Sequence, residues 1–470
     1  MRPRVWLATT LTVSLVCSGA ARAQEPQKEQ LDRQYQSAVA NFDAGRFTEA
    51  ANQLERLLPY AQRSFEVHEL LGLTYASLSQ NAKAEDQLKI AVQLNPNSAA
   101  TRTNLGAILL RTGRAELAGE QFRKAFQLEP TSYDANHNLG EFYIRSGNIA
   151  EARPLLETAE HVNPDSYENG YDLVMADFQL GRLDEARKLA LDILSKQNTG
   201  ELHNLLGQID EKDGKFVDAA NELDTAAHLD PSEDNLFDWG SEMLLHRTYE
   251  PAITIFQQAT VRYPNSQRLL IGLGLALYSR GKYDDAVQAL LKAADIDPSD
   301  SRCYVFLSKA YDSSPKQADE VIAAFKRYAE LRPASASAKY YYAMSLWKGR
   351  RSEGSAVDLQ VVESLLQKSI ELDGTIPEAH MQLGDLYASQ HEYEKSIPEY
   401  LRAIDLNPNL SDAYYRLGTD YVHVGKKEEA QQQFAVYQKL RAEHLAEIDK
   451  ERADVRQFVY SEKANAPSKP

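Results

Sequence analysis

A pattern that returns every 34 residues constrains this chain more than any other feature. The stretch Asn104–Gly106 returns as Asn138–Gly140, and each copy closes with a proline, Pro130 in the first and Pro164 in the second. A fixed period of this length indicates stacked supersecondary units, because one such unit cannot bury its apolar face alone. The period therefore predicts a solenoid.

Each copy of the pattern contains two helical runs. Leu105 and Leu109 lie one helical turn apart in the first run, and Phe122 lies on the apolar face of the second. Gly113 separates the runs, at a place where the left-handed conformation is cheap only for glycine. Pro130 cannot continue a helix and so ends the unit. The copies therefore predict a helix–turn–helix repeat.

The recurring residues resemble the tetratricopeptide repeat family, whose unit is a 34-residue helix–turn–helix. The family's small eighth position is matched by Gly72, Gly106, Gly140, Gly207, Gly240, Gly274, Gly384 and Gly418. Its small twentieth position is matched by Ala50, Ala84, Ala118, Ala152, Ala186, Ala219, Ala252, Ala286 and Ala430. Its closing proline is matched by Pro96, Pro130, Pro164, Pro231, Pro264, Pro298, Pro333 and Pro408. The resemblance implies an all-α fold, a right-handed α-solenoid of about twelve repeats with a C-terminal capping helix.

The same register divides the chain into segments. We place the starts of the repeats near residues 31, 65, 99, 133, 167, 200, 233, 267, 301, 336, 377 and 411. We expect a signal peptide at 1–23, a disordered arm at 24–30, the solenoid at 31–442 with an insertion near 348–358, a helical extension at 443–460 and a disordered tail at 461–470.

The first residues have the pattern of a secretory leader. Arg2 and Arg4 precede an apolar run over Val5–Val16, and Ala21-Arg22-Ala23 matches the small-residue cleavage signal. We expect export with cleavage after Ala23, which places the protein in the periplasm or outside the cell. The run is short for a spanning helix of ~20 residues. An uncleaved anchor is one alternative to cleavage. Lipidation at Cys17 is a second, although the residues before Cys17 match the lipidation motif poorly.

Charge and cysteine content narrow the function. The net charge of −16 argues against a nucleic-acid partner, because phosphate binding needs a basic footprint. One interpretation is that the negative charge favours neutral or basic partners. The other is that it only keeps a protein with a long exposed surface soluble. Cleavage leaves Cys303 as the single cysteine, which predicts a small packing residue and no internal disulfide.

The catalytic and metal motifs are incomplete. The H-E-x-x-H pattern begins at His68 and at His391, but Gly72 and Lys395 occupy the place of its second histidine. The ten histidines are scattered over the repeats without ligand spacing. We therefore predict no enzyme activity, no catalytic residue, no cofactor and no metal site.

Without a catalytic motif, the function that remains is the binding of a partner on the protein surface. The resemblance implies that the first helix of each repeat lines a concave groove. Its second, fifth, ninth and twelfth places face that groove. The predicted contact residues are Tyr35, His137, Glu141, Tyr171, Met175, Phe178, Asn204, Phe237, Ile271, Tyr278, Tyr340, Trp347, Met381 and Tyr415. A second candidate is the basic insertion with Lys348, Arg350 and Arg351, which is either a contact loop for an acidic partner or lipid or a solvated loop.

These observations favour a non-enzymatic scaffold that binds peptide or protein partners along the groove. An accessory subunit of a cell-envelope assembly, with peripheral membrane association, is the alternative. A third hypothesis is a carbohydrate-binding or hydrolytic protein that uses the aromatic run from Tyr340 to Trp347.

Overall fold

The computed structural model describes residues 25–313, 317–349 and 358–443. Within these residues the regular secondary structure is helical throughout, as the repeat pattern predicts. The helices form two compact units, which divide between Asp230 and Pro231. Each unit is a stack of helix pairs, so the α-solenoid of about twelve repeats is confirmed.

The first unit contains twelve α-helices and a short 3-10 helix within its described residues. These are α1 Glu25–Asp43, α2 Phe47–Leu57, η1 Leu58–Tyr60, α3 Phe65–Ser77, α4 Asn81–Leu94, α5 Ala99–Arg111, α6 Ala115–Leu128, α7 Tyr133–Arg145, α8 Ile149–Val162, α9 Tyr167–Gln179, α10 Leu183–Lys196, α11 Gly200–Lys212 and α12 Phe216–Leu229.

The second unit continues the alternation of first and second helices. Its described helices are α13 Glu233–Leu245, α14 Tyr249–Arg262, α15 Gln267–Ser279, α16 Tyr283–Ile296, α17 Ser301–Ser313, α18 Ala318–Leu331, α19 Ala336–Gly349, α20 Leu359–Leu372, α21 Pro377–Ser389, α22 Tyr393–Leu406, α23 Ser411–His423 and α24 at 427–443. From α3 onward, every first helix begins at the residue from which the repeat was counted.

The glycine at the eighth position of a repeat lets its two helices approach closely. A Cβ atom built on Gly106 would lie only 2.6 Å from Cε1 of Phe122, on the second helix of the same repeat. Likewise, a Cβ atom on Gly384 would lie 2.7 Å from Cε1 of Tyr400. The aromatic ring therefore occupies the space that a side chain on the first helix would need.

The ends of the helices follow from turn chemistry. Gly113 has a φ of +76°, in the left-handed region that glycine adopts without strain. Ser98 caps α5 by accepting a hydrogen bond from the backbone N–H of Thr101. Cys303 is fully buried in α17, as its predicted packing role requires, and its thiol donates to the carbonyl oxygen of Asp300.

Two expectations about segments need correction. The arm predicted at 24–30 is helical from Glu25, because Pro26 is tolerated in a first turn and the residues after it are strong helix formers. The insertion predicted near 348–358 does not begin at Lys348, since α19 continues through Gly349. Asp358 already caps α20 by accepting from the N–H of Gln360.

Other predicted segments lie outside the described residues. These are the signal peptide at 1–23, nearly all of the helical extension at 443–460, and the tail at 461–470. Among the helices that the structure describes, none combines the length and the apolar character needed to cross a membrane.

Candidate partner-binding site

The second unit contains a surface cavity of about 570 Å³ between successive first helices. Its walls come from α17, α19, α21 and α23, with one residue, Tyr400, from α22. This volume falls within the range of about 300–1,000 Å³ that is typical of ligand sites. The cavity can therefore accommodate a side chain or a short segment of a partner.

Three of the predicted contact residues line this cavity together. Tyr340 and Trp347 lie two turns apart on α19, and Tyr415 lies on α23. Tyr340 and Trp347 are half-buried, whereas Tyr415 is 51% exposed. Burial raises the pKa of the Tyr340 hydroxyl, and nearby carboxylates, Glu378 among them, raise it further. The cavity thus has aromatic walls, and the Tyr340 hydroxyl in them stays protonated at neutral pH.

Asp385 lies in the wall of the cavity and is held from two sides. The Tyr400 hydroxyl donates to its Oδ1 atom at 2.8 Å, and Nη1 of Arg416 lies 2.6 Å from the same oxygen. Only 10% of the Asp385 side chain is exposed. Burial raises the pKa of this carboxyl, although Arg416 and Tyr400 oppose the rise. The close packing of Tyr400 against Gly384 fixes the hydroxyl that binds Asp385.

Asp420 is the second buried carboxylate of the cavity, and 3% of the residue is exposed. Its Oδ2 atom accepts a hydrogen bond from the Ser396 hydroxyl. Burial raises its pKa, while Ser396 and the more distant His423 oppose the rise. Among the described residues, no lysine or arginine forms an ion pair with Asp420.

The sequence suggests a basic contact loop that begins at Lys348, but in the structure Lys348 is part of a helix. Lys348 belongs to the last turn of α19, lines the cavity and pairs with Asp312 at the end of α17. Its side chain is 22% exposed, so it is a half-buried helical residue instead of a solvated loop cation. Arg350 and Arg351 lie outside the described residues.

Sequence reasoning missed the polar residues of the cavity although the repeat register contains them. Asp312 occupies the twelfth place of its repeat, and Asp385 and Met344 occupy the ninth, which are places assigned to the groove. The choice of mainly aromatic side chains on that face left out these carboxylates. Asp420 and Arg416 lie beside the assigned places, where only the packed structure shows that they reach the cavity.

In the first unit, most predicted contact residues are half-buried and pack against their neighbours. Tyr171, Met175 and Phe178 adjoin the apolar core of that unit, and Nζ of Lys212 lies 4.7 Å from the centre of the Phe178 ring. Tyr35 packs against another core cluster, and burial raises its pKa to about 12, with Glu66 and Glu69 adding to the rise. These side chains therefore pack against the core on one side and remain partly exposed on the other.

His137 and Glu141 occupy the same face of α7. The His137 ring stacks on Tyr133 with the ring centres 5.4 Å apart, and its Nδ1 atom lies 3.3 Å from Oδ1 of Asn169. Glu141 pairs with Arg145 one turn later at 2.6 Å. These side chains form a polar, partly exposed patch on the first helices.

Two predicted contact residues are buried, which corrects their assignment to an exposed face. Asn204 and Met381 are each 8% exposed. Asn204 accepts a hydrogen bond from the Gln208 side chain one turn later, and Met381 belongs to a core cluster of the second unit. At both places the neighbouring helices cover a position that the register alone leaves open.

The remaining predicted residues, Phe237, Ile271 and Tyr278, are half-buried in the second unit. The guanidinium of Arg268 lies 5.2 Å from the centre of the Phe237 ring, a cation–π distance. Tyr278 packs against Tyr283 with ring centres 5.6 Å apart. None of the three lines the cavity described above.

The patch on α7 and α9 leads to a prediction about pH. Burial raises the pKa of Asp172 to about 6, with smaller effects from His137, Glu141, Arg145 and Glu168. The unfolded chain titrates near ~3.9, so the folded protein binds this proton more tightly, and stability falls as pH rises from about 4 to 6. Asp172→Asn is therefore expected to stabilise the protein by about 1–2 kcal/mol at pH 7, after allowance for partial exposure, and little at pH 4.

Denaturant unfolding of the variant and the wild type at both pH values measures this effect. Asp165→Asn is the matched control, because that side chain is 84% exposed and the change should have no pH-dependent effect. A stability difference for Asp172→Asn that is equal at pH 4 and pH 7 would contradict the assignment.

Comparisons with known proteins agree with this architecture. Models described as tetratricopeptide repeat or TPR repeat match residues 35–99, 69–135, 114–166, 148–209, 246–301 and 384–422. Together these matches cover more than half of the chain. The chain therefore belongs to the tetratricopeptide repeat family.

Relatives with established names are distant and much longer. The chain is 24% identical over 195 residues to anaphase-promoting complex subunit 3 of Schizosaccharomyces pombe, a match that covers 42% of this chain and 28% of that protein. It is 23% identical over 192 residues to protein O-mannosyl-transferase TMTC3 of Mus musculus, covering 38% and 20%. The chain thus spans about a quarter of the length of these relatives.

Among solved structures, the Cut9–Hcn1 hetero-tetramer of the anaphase-promoting complex has a chain that resembles this one. The match covers 89% of this chain and 88% of that chain, with 16% identity and a TM-score of 0.36.

Proposed function

We propose that this protein is a non-enzymatic scaffold that binds a peptide segment of a partner protein on the first helices of its repeats. The observation that carries the proposal is the meeting of Tyr340, Trp347 and Tyr415 at one cavity. These side chains come from two different helices, and aromatic residues in a partly buried pocket are typical anchors of protein interfaces. The cavity between α17 and α23 is the main contact site in this proposal.

The binding side chains sit on rigid elements. Tyr340 and Trp347 project from α19, whose fully buried residue Ala343 packs against the neighbouring helices. The Tyr415 ring packs against Phe434 and Tyr437 of α24, with ring centres 5.8 and 5.2 Å away. Side chains that are already ordered lose little entropy when a partner binds.

The proposal can be tested with peptides selected from a random display library on the purified protein. Trp347→Ala is expected to weaken the selected peptides by about 2 kcal/mol, or roughly 30-fold in Kd, because it removes an aromatic anchor. Fluorescence anisotropy of labelled peptides measures Kd, and circular dichroism confirms that the variant is folded.

Leu401→Ala is the matched control for this experiment. Leu401 is 45% exposed on α22, a second helix of the same unit, and does not line the cavity. It should leave Kd unchanged. Selected peptides that bind Trp347→Ala as tightly as the wild type would exclude the cavity as the contact site.

We further propose that the protein is exported and acts in the periplasm or outside the cell after cleavage following Ala23. The leader pattern of Arg2, Arg4, the apolar run and Ala21-Arg22-Ala23 supports this proposal. The intact mass of the protein recovered from its native host tests it, since retention of residues 1–23 would contradict cleavage.

A further inference from the structure

We infer that the cavity of the second unit selects a cationic side chain, above all an arginine, from the bound partner segment. This inference rests on the proposed peptide-binding function and specifies its chemistry. Its basis is an unbalanced negative charge in the cavity wall, together with the buried hydroxyl of Tyr311, which has no hydrogen-bond partner among the described residues.

The charges of the cavity do not cancel. Among its described lining residues, Lys348 pairs with Asp312 and Arg416 pairs with Asp385. Asp420 has no such cation, although it is 3% exposed. A buried carboxylate without a counter-charge is costly in a medium of low dielectric constant. A cationic guest would supply the missing charge.

A comparison within the chain shows what a balanced carboxylate looks like. Asp177, near the end of first helix α9, is also 3% exposed and binds Nε of Arg153 at 2.6 Å. Asp420 lies near the end of first helix α23, one place earlier in its repeat than Asp177 does, and none of the described lysine or arginine side chains pairs with it. Ser396 donates a neutral hydrogen bond instead. The two acids are equally buried, but only Asp177 has an arginine or lysine partner among the described residues.

An unpartnered hydroxyl marks where a guest would bind. The Tyr400 hydroxyl and Nη1 of Arg416 both contact Oδ1 of Asp385. Tyr311 lines the cavity and is 1% exposed, and its buried hydroxyl has no hydrogen-bond partner among the described residues. Buried polar atoms are nearly always hydrogen-bonded, so the Tyr311 hydroxyl can accept an N–H donor of a guest.

Arginine suits this set of groups better than other side chains. Its planar guanidinium has five N–H donors, which can reach two carboxylates and a hydroxyl at once. Its face can also stack on an aromatic ring, and Tyr340 and Trp347 provide rings in the same cavity. An acidic guest would meet two cations that are already paired and a carboxylate that repels it.

The test uses the purified full chain and three short probes. The probes are acetyl-Gly-Ser-Arg-Ser-Gly-amide, its isostere with neutral citrulline in place of arginine, and the same peptide with glutamate. Binding is followed by the indole NMR signal of Trp347, which the Trp239→Phe variant helps to assign. The arginine probe should shift this signal and bind at least about tenfold more tightly than the citrulline probe.

Asp420→Asn should remove that preference by weakening the arginine probe about tenfold. It should also raise the thermal midpoint of the free protein, since it removes an uncompensated buried charge. Asp405→Asn makes the same change of net charge on α22, where the side chain is 70% exposed, and should leave both measurements unchanged.

The outcomes separate this inference from the proposed function. Equal binding of the arginine and citrulline probes, tighter binding of the glutamate probe, or unchanged binding to Asp420→Asn would overturn the choice of a cation while peptide binding stands. A lower thermal midpoint of Asp420→Asn would show a structural role and overturn it as well. If no probe and no selected library peptide shifts the Trp347 signal, the proposed function fails with it.

Discussion

Replacing Phe256 with alanine is expected to lower the free energy of unfolding by about 3–5 kcal/mol. Phe256 is fully buried on α14. Its ring lies between two first helices, because Cβ atoms built on Gly240 and Gly272 would come within 2.8 and 2.7 Å of it. The hole left by the ring would face two glycines without side chains to fill it. The neighbouring helices can therefore relax only in part.

Denaturant unfolding monitored by circular dichroism measures this loss. Val261→Ala on the same helix is the control, since Val261 is 83% exposed and its truncation should change stability by less than about 0.5 kcal/mol. Hydrogen exchange should accelerate first in α13, α14 and α15, because each repeat contacts mainly its neighbours. A loss for Phe256→Ala close to that of Val261→Ala would show that the ring does not connect the two repeats.

The contact between a glycine on the first helix and a large side chain on the second explains why the fold can be predicted from the sequence. The period fixes a glycine on each first helix and a large side chain about sixteen residues later on the second, as with Gly106 and Phe122. Both residues belong to the same repeat, so their contact is local in the chain. Local packing of this kind repeats faithfully, and the helix starts follow it.

The details of the candidate site are predicted less well, because they depend on neighbouring repeats. Tyr340, Trp347 and Tyr415 line the cavity, whereas Asn204 and Met381, predicted from the same register, are buried. Exposure at a given place depends on which side chains the adjacent helices present. The register cannot supply that information, since it averages over repeats whose neighbours differ.

The partners of charged residues are also hard to predict from the sequence. Lys348 stands in a basic stretch that the sequence suggests as a contact loop, yet it is helical and pairs with Asp312 across two repeats. Only the packed structure shows that Asp420 is buried with a hydrogen bond from Ser396 and without a lysine or arginine partner among the described residues. Pairing between repeats links residues that are more than twenty positions apart in the chain, as between Arg153 and Asp177.

Buried ion pairs join adjacent repeats in the first unit. Arg153 on α8 binds Asp177 on α9, and Arg187 on α10 binds Asp210 on α11. In each case the arginine comes from a second helix and the carboxylate from the next first helix. Asp177 and Asp210 are 3% and 0% exposed, so each depends on its arginine for a counter-charge. These pairs fix how one repeat is set against the next.

Removing the arginine alone is the sharpest test of that role, and Arg153→Ala is expected to cost about 3–5 kcal/mol. Only 16% of the Arg153 side chain is exposed, and its loss would leave Asp177 charged and buried without a cation. Replacing both residues with apolar side chains, Arg153→Met with Asp177→Leu, should recover most of the stability, because no buried charge then remains. Denaturant unfolding of the two single variants and the double variant measures the coupling.

Arg145→Ala is the surface control, because its pair with Glu141 joins side chains that are 53% and 31% exposed. An exposed pair of this kind contributes up to about 1 kcal/mol. If Arg153→Ala costs no more than Arg145→Ala, water must reach Asp177, and the pairs between repeats would act as surface pairs do. If it costs several times more and the apolar double variant recovers the loss, the arginine is present to neutralise a buried acid.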